Sequence, residues 1–365
     1  MPGVRDRKSR VQGQKSDIRH PTSDLSYAQR FEDLYLMRCF GEQADGFYVD
    51  VGAGHPVYDN VSFAFYLKGW RGITVEPNPW LAQLSRAVRP RDRHVEALVG
   101  AARGEAALHL VRDYHGLSTM VESHARAALA EFGKASDTIT VPLTTLADVC
   151  AGEVPASFEF LKIDVEGAEK DVLLGGDFAH YRPKLVVAEA LAPTTLKPSW
   201  REWEAILTRQ GYRYVWFDTL NRYYVAEEAG DLAAAFTGAP RTFKGARAFS
   251  KFRPALDDKR HPDHRLAVLL GNAAMTRLPV LDRALMVELV TSGLPAAELD
   301  RPAEDGDLAQ ILDRLFGPDL AAQAAERIKD LKLPADPSIR SLYGAIAETD
   351  LFRAACGRIS ASYSW

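Results

Sequence analysis

The sequence predicts an α/β fold built on a mostly parallel sheet, followed by a helical C-terminal extension. Short apolar runs alternate with helical stretches, and each run ends in a turn signal, which is typical of parallel strands joined by helices. Beyond about residue 245 the strand signals stop, and apolar residues recur only at helical spacing. These patterns favour a covered sheet in the first two thirds of the chain and helices in the rest.

Four apolar runs are the clearest strand candidates, because each is rich in β-branched or aromatic residues. They are residues 47–51, 72–75, 158–163 and 185–188. The helices predicted around them are residues 27–40, 61–67, 79–88, 119–132 and 199–210. Weaker strands at 94–99 and 107–111 are assigned to the same sheet, and residues 212–217 and 223–225 to a terminal antiparallel hairpin. The β-α-β-α order implies right-handed parallel crossovers.

The chain divides into three predicted regions. Residues 1–24 are polar and charged with almost no large apolar side chains, so we expect a flexible tail. Residues 25–244 form the sheet domain, and residues 245–365 form the helical extension. We expect the extension to form a lid or the interface of a homo-oligomer.

Composition limits the class of protein. The 365 residues are 47% hydrophobic and carry a net charge of −4, so neither nucleic acid nor an anionic membrane is the expected partner. No apolar run is long enough to span a bilayer, and the N-terminus lacks the apolar stretch of a signal peptide. The three cysteines are far apart and match no zinc spacing, which favours reduced thiols and a cytoplasmic location.

A glycine-containing loop follows the first of the four clear strands. Asp50 and Val51 end this strand, and Gly52-Ala53-Gly54 brings the backbone into a tight turn at the carboxyl edge of the sheet, where ligands gather. A dinucleotide-binding fingerprint needs a third small residue at a position that Val57 occupies here. The loop therefore predicts a site for a nucleoside-type ligand other than a dinucleotide.

An acidic residue also ends the second strand. Glu76, in the segment Thr74-Val75-Glu76-Pro77-Asn78, is placed to accept hydrogen bonds from both hydroxyls of a ribose. Acidic residues at the ends of two successive strands are a stronger signal than one glycine pair. The simpler interpretation is that these residues are a loop glycine and a solvated carboxylate that bind no ligand.

Four segments resemble the FkbM family of class I methyltransferases. They are residues 27–33 (YAQRFED), 46–54 (GFYVDVGAG), 69–78 (GWRGITVEPN) and 160–169 (FLKIDVEGAE), the last being the most diagnostic. Residues 117–119 and 186–189 also look like family positions, and the resemblance covers about residues 26–225. It implies a Rossmann-like class I methyltransferase fold that uses S-adenosylmethionine to methylate hydroxyl groups of sugars in glycans or of polyketide-type natural products.

The resemblance suggests a role for each residue along the cofactor. In this hypothesis Asp50 lies near the methionine part, Gly52 and Gly54 leave room, and Glu76 holds the ribose. The remaining cofactor candidates are Pro77, Asn78, Glu96, Ala97, Gln29, Ser118 and Asp164. A solvated helix face is the alternative for Gln29, and a helix cap is the alternative for Ser118.

Methyl transfer to an alcohol requires alignment and the removal of one proton. Asp164 and Glu189 end the fourth and fifth strands, so both carboxylates emerge at the edge that holds the cofactor. They are candidate ligands for Mg²⁺ or Mn²⁺, which would lower the pKa of the acceptor hydroxyl. Alternatively Asp164, or His55 beyond the glycine loop, acts directly as the base.

The sequence thus leaves several functions open. O-methylation of a sugar or glycan hydroxyl is the first hypothesis, and O-methylation of a macrolide or another small natural product is the second. An inactive methyltransferase-like interaction module and an oxidoreductase are alternatives of other classes. The acidic residues Asp50, Glu76 and Asp164 argue against an inactive module.

Overall fold

The computed structural model describes residues 25–111, 136–192, 195–241, 243–328, 331 and 333–363. The chain divides into two compact units, Met1–Lys251 and Phe252–Trp365. The predicted tail, the predicted helix at 119–132 and Ser118 lie outside the described residues.

The first unit contains twelve strands in its described part. In chain order they are β1 (Leu25–Ser26), β2 (Phe47–Val51), β3 (Arg71–Val75), β4 (Arg93–Val95), β5 (Leu98–Gly100), β6 (Gly104–Val111), β7 (Ser136–Thr145), β8 (Ser157–Ile163), β9 (Arg182–Glu189), β10 (Tyr212–Phe217), β11 (Asn221–Ala226) and β12 (Arg247–Ala248). Its α-helices are α1 (Glu32–Phe40), α2 (Phe63–Leu67), α3 (Pro79–Val88), α4 (Leu146–Cys150), α5 (Glu169–Leu174) and α6 (Glu204–Arg209). Short 3₁₀ helices lie at Trp200–Glu202, Glu227–Phe236 and Phe249–Lys251.

The central feature is a seven-stranded sheet in the order β10-β11-β9-β8-β2-β3-β4. The strands from β9 to β4 pair in parallel, and β11 pairs antiparallel with both β9 and β10. The predicted fold class, a mostly parallel sheet with a terminal antiparallel hairpin and a helical extension, is confirmed. The chain runs outward from β2 to β4 and returns to β8 on the other side of β2, so the topological switch lies between β2 and β8.

A second sheet of three strands, in the order β5-β7-β6, was not expected. The weak strand predicted at 94–99 splits between β4 in the main sheet and β5 in this one. The strand predicted at 107–111 is part of β6, which pairs antiparallel with β7 and not with the main sheet. The assignment to the main sheet was therefore right for residues 94–95 and wrong for residues 98–99 and 107–111, since hydrophobic pattern alone does not specify which strand is the partner.

Helix α1 begins at Glu32 and not at residue 27 as the apolar spacing predicts. Phe31 adopts a left-handed backbone conformation (φ 65°), which ends any continuous helix before it. The backbone N–H groups of Tyr27 and Arg30 donate instead to the carboxylates of Asp33 and Glu32. These local hydrogen bonds replace the missing helical ones.

Apolar side chains cover both faces of the main sheet. On one face Val49, Leu161 and Val186 pack with α4, α5 and α6, and on the other Tyr48, Phe160 and Val187 pack with α1 and α2. Side chains alternate between the two faces along each strand, as expected for a fully covered sheet. Each strand therefore brings alternate side chains at its carboxyl end to the face that α1 covers.

The second unit is helical. Its helices are α7 (His264–Arg277), α8 (Arg283–Val290), α9 (Ala296–Asp300), α10 (Asp307–Phe316), α11 (Pro318–Arg327), α12 (Ile339–Ala347) and α13 (Asp350–Ser362), with a 3₁₀ turn at Leu278–Val280. It has its own apolar core around Leu312, Leu342 and Ile346. Helix α7 exposes Leu269 and Leu270 to solvent. The expected homo-oligomer stays a prediction.

Two further expectations concern membrane-spanning segments and cysteines. Within the described part of the chain, none of the helices combines the length and apolar character needed to cross a membrane. Cys39, Cys150 and Cys356 are free thiols, and the latter two are buried.

The close contact between β2 and β3 leads to a stability prediction. A Cβ atom at Gly72 would lie 2.2 Å from the Tyr48 ring and 2.3 Å from the Tyr48 carbonyl oxygen, and Tyr48 is fully buried. We expect Gly72→Ala to lower the free energy of unfolding by about 3 kcal/mol, because the core must rearrange to admit the methyl group. Urea denaturation followed by circular dichroism measures this loss.

Gly104→Ala is the matched control. Gly104 begins β6, and a Cβ atom there would meet no atom within 4 Å. We expect its denaturation midpoint to stay close to that of the wild type. Equal midpoints for the two variants would show that the β2–β3 contact is not tight.

Candidate functional site

The candidate site lies at the carboxyl ends of β2 and β8, where the order of the strands reverses. Asp50 is in register with Lys162 of β8, and Asn221 of β11 is in register with Glu189 of β9. Side chains of registered partners point to the same face of a sheet. At this edge of the sheet, a row of polar side chains therefore lies on the face that α1 covers.

The glycine loop contacts the segment that follows β8. Gly52 has a positive φ of 73°, and a Cβ atom on it would lie 1.7 Å from the Asp164 carbonyl oxygen. The Gly52 N–H donates to the Val75 carbonyl, and the Asp164 N–H donates to the Val51 carbonyl. Only glycine fits at position 52, because both the backbone angle and the close approach exclude a side chain.

Glu76 closes the loop from the side of β3. One of its carboxylate oxygens accepts from the Gly54 N–H at 2.9 Å, and the other accepts from the Asn78 N–H at 2.9 Å. The side chain of Asn78 in turn caps α3 by accepting from the Trp80 N–H at 3.0 Å. Burial raises the pKa of Glu76 to about 7, although these two backbone hydrogen bonds oppose the shift.

The other residues predicted to contact the nucleoside are held by fewer hydrogen bonds than Glu76. Glu96 is half-exposed and pairs with Arg86 at 2.8 Å. Ala97 is buried between β4 and β5, and Pro77 is partly buried beside Glu76. These positions lie on the β3–β4 side of the switch, opposite the side that carries Asp164.

Asp50 is held by a buried polar network. One of its carboxylate oxygens accepts from the Ser62 hydroxyl at 2.5 Å, while the other, Oδ1, is buried without a hydrogen-bond partner in the described part of the chain. The fully buried guanidinium of Arg89 donates to the oxygens of Ser62, Asn60 and Tyr48. Its charge is balanced by Asp92 at 2.7 Å.

Sequence reasoning missed this arginine. Arg89 lies at the end of α3 among other charged residues, a context in which an arginine is normally exposed. Its signal in the sequence is indistinguishable from that of its neighbour Arg91. Only the three-dimensional structure brings it to Ser62, and through Ser62 to Asp50.

Three carboxylates converge beyond β8 and β9. One oxygen from each of Asp164, Glu166 and Glu189 lies within 4.8 Å of the other two. Burial and the neighbouring charges, Asp164 first, raise the pKa of Glu189 to about 11, and its Oε2 is buried without a hydrogen-bond partner in the described residues. Burial and Asp164 likewise raise the pKa of Glu166 well above its usual value.

Glu169 belongs to a different arrangement. Its carboxylate accepts from the Val165 and Gly167 N–H groups at 3.2 and 3.1 Å, so it supports the turn that begins α5. Glu166 has a left-handed backbone (φ 54°), and its carboxylate belongs to the three-carboxylate cluster. The sequence does not distinguish the two glutamates, because periodicity does not reveal this backbone reversal.

Lys162 is the second residue that sequence reasoning missed. It is 5% exposed, and its ammonium lies 3.0 Å from Asp164 Oδ2, 3.4 Å from the Gly52 carbonyl oxygen and 4.0 Å from Asp50 Oδ1. Burial alone would lower the pKa of Lys162, but the negative charges of Asp164 and Asp50 raise it by more than burial lowers it. The net effect is a raised pKa, so the ammonium stays charged. A lysine two residues from the end of an apolar strand gives no sign of this role in the sequence.

The first helix contributes buried acids from above the sheet. Glu32 accepts from Asn221 Nδ2 at 2.8 Å, and burial, followed by repulsion from Asp218, raises its pKa to about 8. Asp33 accepts from the Ser26 hydroxyl at 2.6 Å and from the Tyr27 N–H at 2.8 Å. Gln29 lies exposed on the turn that precedes this helix.

His55 follows the glycine loop. Its Nδ1 accepts hydrogen bonds from the Val57 and Tyr58 N–H groups at 3.1 and 3.0 Å. The neutral imidazole then carries its proton on Nε2. This arrangement suits a residue that shapes the loop better than one that accepts a proton from an alcohol.

Comparison with known proteins agrees with this geometry. Residues 50–214 match the family model of the methyltransferase FkbM domain. The chain carries an FkbM methyltransferase domain. The match includes the glycine loop, Glu76, Lys162, Asp164 and Glu189, and this family implies S-adenosylmethionine as the cofactor.

The other comparisons are less specific. No curated protein matches the chain. Among solved structures, a TehB-like SAM-dependent methyltransferase from Corynebacterium glutamicum is similar, with 10% sequence identity and a TM-score of 0.31. The similarity covers 53% of this chain and 87% of that chain.

The buried carboxylates predict how stability depends on pH. A carboxyl group whose folded pKa exceeds its unfolded value binds its proton more tightly in the folded state, so stability falls as pH rises between the two values. For Glu76 this window runs from 4.5 to about 7, and for Glu32 from 4.5 to about 8. We expect the free energy of unfolding of the ligand-free FkbM protein to decrease across this range, and Glu76→Gln to make the decrease shallower.

Asp148→Asn is the control for this experiment. Hydrogen bonds from Arg103 hold the pKa of the Asp148 carboxyl below its usual value, so its contribution is present throughout the range above pH 4.5. Its loss should shift the whole curve without changing the slope between pH 5 and 7. Urea denaturation at several pH values gives both slopes, and a Glu76→Gln slope equal to that of the wild type would contradict the assignment.

Proposed function

We propose that this FkbM protein transfers the methyl group of S-adenosylmethionine to a hydroxyl group of a sugar or glycan, with Asp164 at the reacting centre. The observation that carries the proposal is the position of Asp164. It lies against Gly52 of the cofactor loop and also within the three-carboxylate cluster with Glu166 and Glu189. The backbone of Asp164 is thus fixed against the cofactor loop, while its carboxylate belongs to the acidic cluster that we assign to the acceptor.

The residues on the β3 side would hold the cofactor. Glu76, with both oxygens fixed by backbone N–H groups, keeps lone pairs for the two ribose hydroxyls. Oδ1 of Asp50, which accepts no hydrogen bond from the described residues, is an acceptor for the methionine part, which carries an ammonium group. Gly52 and Gly54, which have no side chains, leave space for the cofactor. The residues that would border its nucleoside are Pro77, Asn78, Glu96 and Ala97.

Asp164 would orient the acceptor hydroxyl and take its proton. In-line displacement at a sulfonium needs close alignment of the two reactants, and an alcohol becomes a good nucleophile only as it loses its proton. Asp164 has the better geometry for this than His55, whose Nδ1 is already occupied by two backbone donors. Gln29, on the exposed turn before α1, remains a candidate for contact with either ligand.

The three-carboxylate cluster also fits a divalent cation. Its donors are all oxygens, which suit Mg²⁺ or Mn²⁺, and the buried Oε2 of Glu189 has no protein partner among the described residues. A bound cation would lower the pKa of the acceptor hydroxyl. Without a cation, burial raises the pKa of Glu189, and repulsion from Asp164 and Glu166 raises it further.

Transfer of a labelled methyl group tests the proposed reaction. With methyl-labelled S-adenosylmethionine and a panel of methyl glycosides, we expect a labelled ether on a sugar and no product from the matched deoxy sugar. Asp164→Asn should lower kcat at least about 100-fold, because it removes the base or metal ligand, and calorimetry should find cofactor affinity within about threefold of the wild type. Glu76→Ala should weaken cofactor binding at least about tenfold, because it removes both acceptors for the ribose.

The outcomes separate the candidate functions. Labelling of a macrolide and not of glycosides would favour the natural-product alternative, and binding of cofactor without transfer to any acceptor would favour an inactive interaction module. Absence of cofactor binding by the wild type would contradict the whole proposal.

Binding of Mn²⁺ tests the cation site by itself. We expect the metal-free full chain to bind Mn²⁺, and Glu189→Gln to weaken this binding at least about tenfold, because it removes a charged ligand. Paramagnetic resonance of free Mn²⁺ measures the affinity. Glu159→Gln is the control, because Glu159 lies near the start of β8, at the end away from Asp164, where it pairs with Lys184.

Equal Mn²⁺ affinity of the wild type and Glu189→Gln would place the cation elsewhere. Asp164 would then be the base without a metal.

A further inference from the structure

The buried ammonium of Lys162 and the proposed cation site both contact the carboxylate of Asp164. Lys162 donates from Nζ to Asp164 Oδ2 at 3.0 Å, and Asp164 also contributes an oxygen to the cluster with Glu166 and Glu189. Lys162 is 5% exposed, so solvent screens its charge little. A divalent cation in the cluster would therefore lie close to a fixed positive charge.

Contacts on several sides hold Lys162 in place. Its Cα is in register with Asp50 on one side and with Val187 on the other, in the middle of the sheet. Its ammonium reaches the Gly52 carbonyl oxygen at 3.4 Å and lies 4.0 Å from Asp50 Oδ1. The side chain thus connects the cofactor loop, the end of β2 and Asp164.

We propose that Lys162 is a positioning residue that holds Asp164 Oδ2 beside the Gly52 carbonyl and makes the three-carboxylate cluster a weak, exchangeable site for a divalent cation. This inference rests on the cation site proposed above. With one Asp164 oxygen bound to the ammonium, only the other is free to meet the cation or the acceptor. The positive charge of Lys162 also opposes a second cation nearby.

Two opposite effects follow from removing Lys162. The fold loses the charge that balances Asp50 and Asp164, so the ligand-free protein becomes less stable. The cluster gains an unrestrained carboxylate and loses a repelling charge, so it binds a divalent cation more tightly. A residue with only a structural role would weaken the site when removed and would not strengthen it.

The experiment measures Mn²⁺ binding to the metal-free full chain by paramagnetic resonance, with thermal unfolding in parallel. We expect Lys162→Met to bind Mn²⁺ about tenfold more tightly than the wild type, as expected for the loss of one nearby unit charge. Mn²⁺ should also raise the unfolding temperature of Lys162→Met more than that of the wild type, because a ligand stabilises the state it binds. Lys162→Arg keeps the charge and should stay within about threefold of the wild type.

Two further variants complete the design. Lys162→Gln removes the charge but keeps a donor for Asp164, and it should also bind Mn²⁺ more tightly, which provides the measurement if Lys162→Met does not fold. Lys184→Met is the matched control, since Lys184 lies on the neighbouring strand β9 toward its other end, paired with Glu159 at 2.9 Å. Its Mn²⁺ affinity should equal that of the wild type.

The results distinguish this inference from the cation proposal. If the wild type binds Mn²⁺ and the two neutral variants bind it no more tightly, the role of Lys162 is refuted and the cation site stands. If only the neutral variants bind, Lys162 has the proposed effect and the wild-type cation site is refuted. If none of the chains binds Mn²⁺, both proposals are wrong.

Discussion

The contact between Gly52 and the backbone of Asp164 is the constraint on which the rest of the site depends. The hypothetical Cβ distance of 1.7 Å means that the cofactor loop and the end of β8 are packed backbone against backbone. Neither can move without the other, so in the proposed reaction the distance between the methyl donor and Asp164 would be set by the sheet and not by a flexible loop. In-line methyl transfer depends on this kind of fixed alignment of the two reactants.

The same packing brings acidic groups together at a site that is largely shielded from solvent. Asp50, Asp164 and Glu189 reach one face of the sheet edge, and the acids of α1 lie above them. Such a cluster destabilises the ligand-free fold, as the raised pKa values of Glu76 and Glu189 indicate. We infer that the site is built for ligands that bring positive charge or hydrogen-bond donors, and that binding recovers the lost stability.

Much of the sheet could be predicted from the sequence, because fully buried strands have a strong apolar signature. Strand β2 coincides with the predicted residues 47–51, and β3, β8 and β9 extend their predictions by only a few residues. Strand β6 was assigned to the wrong sheet, since its partner β7 is distant in sequence and lies where no strand was predicted. Helix α1 begins late because the backbone at Phe31 reverses, which apolar spacing does not reveal.

The site was predictable only where a residue type alone implies a role. Gly52, Glu76 and Asp164 stand at strand ends, and the structure brings the three together around one loop. Arg89 and Lys162 were missed, because a buried cation is recognised by its partners, and partners such as Ser62 and Gly52 lie far away in the sequence. Ser118 lies outside the described residues, and Gln29 is exposed on the turn before α1.

The acids of the first helix illustrate how a motif can act at a distance from the chemistry. Asp33 is occupied by the Ser26 hydroxyl and the Tyr27 N–H, which shapes the turn before α1. Glu32 instead accepts from Asn221, whose register partner is Glu189. Because Asn221 Nδ2 also lies 3.3 Å from Asp218, a hydrogen-bonded path runs from α1 through the hairpin loop to the strand that carries Glu189. Residues 27–33 are thus tied to the strand beside the one that carries Glu189, although their acids bind the protein's own backbone and side chains.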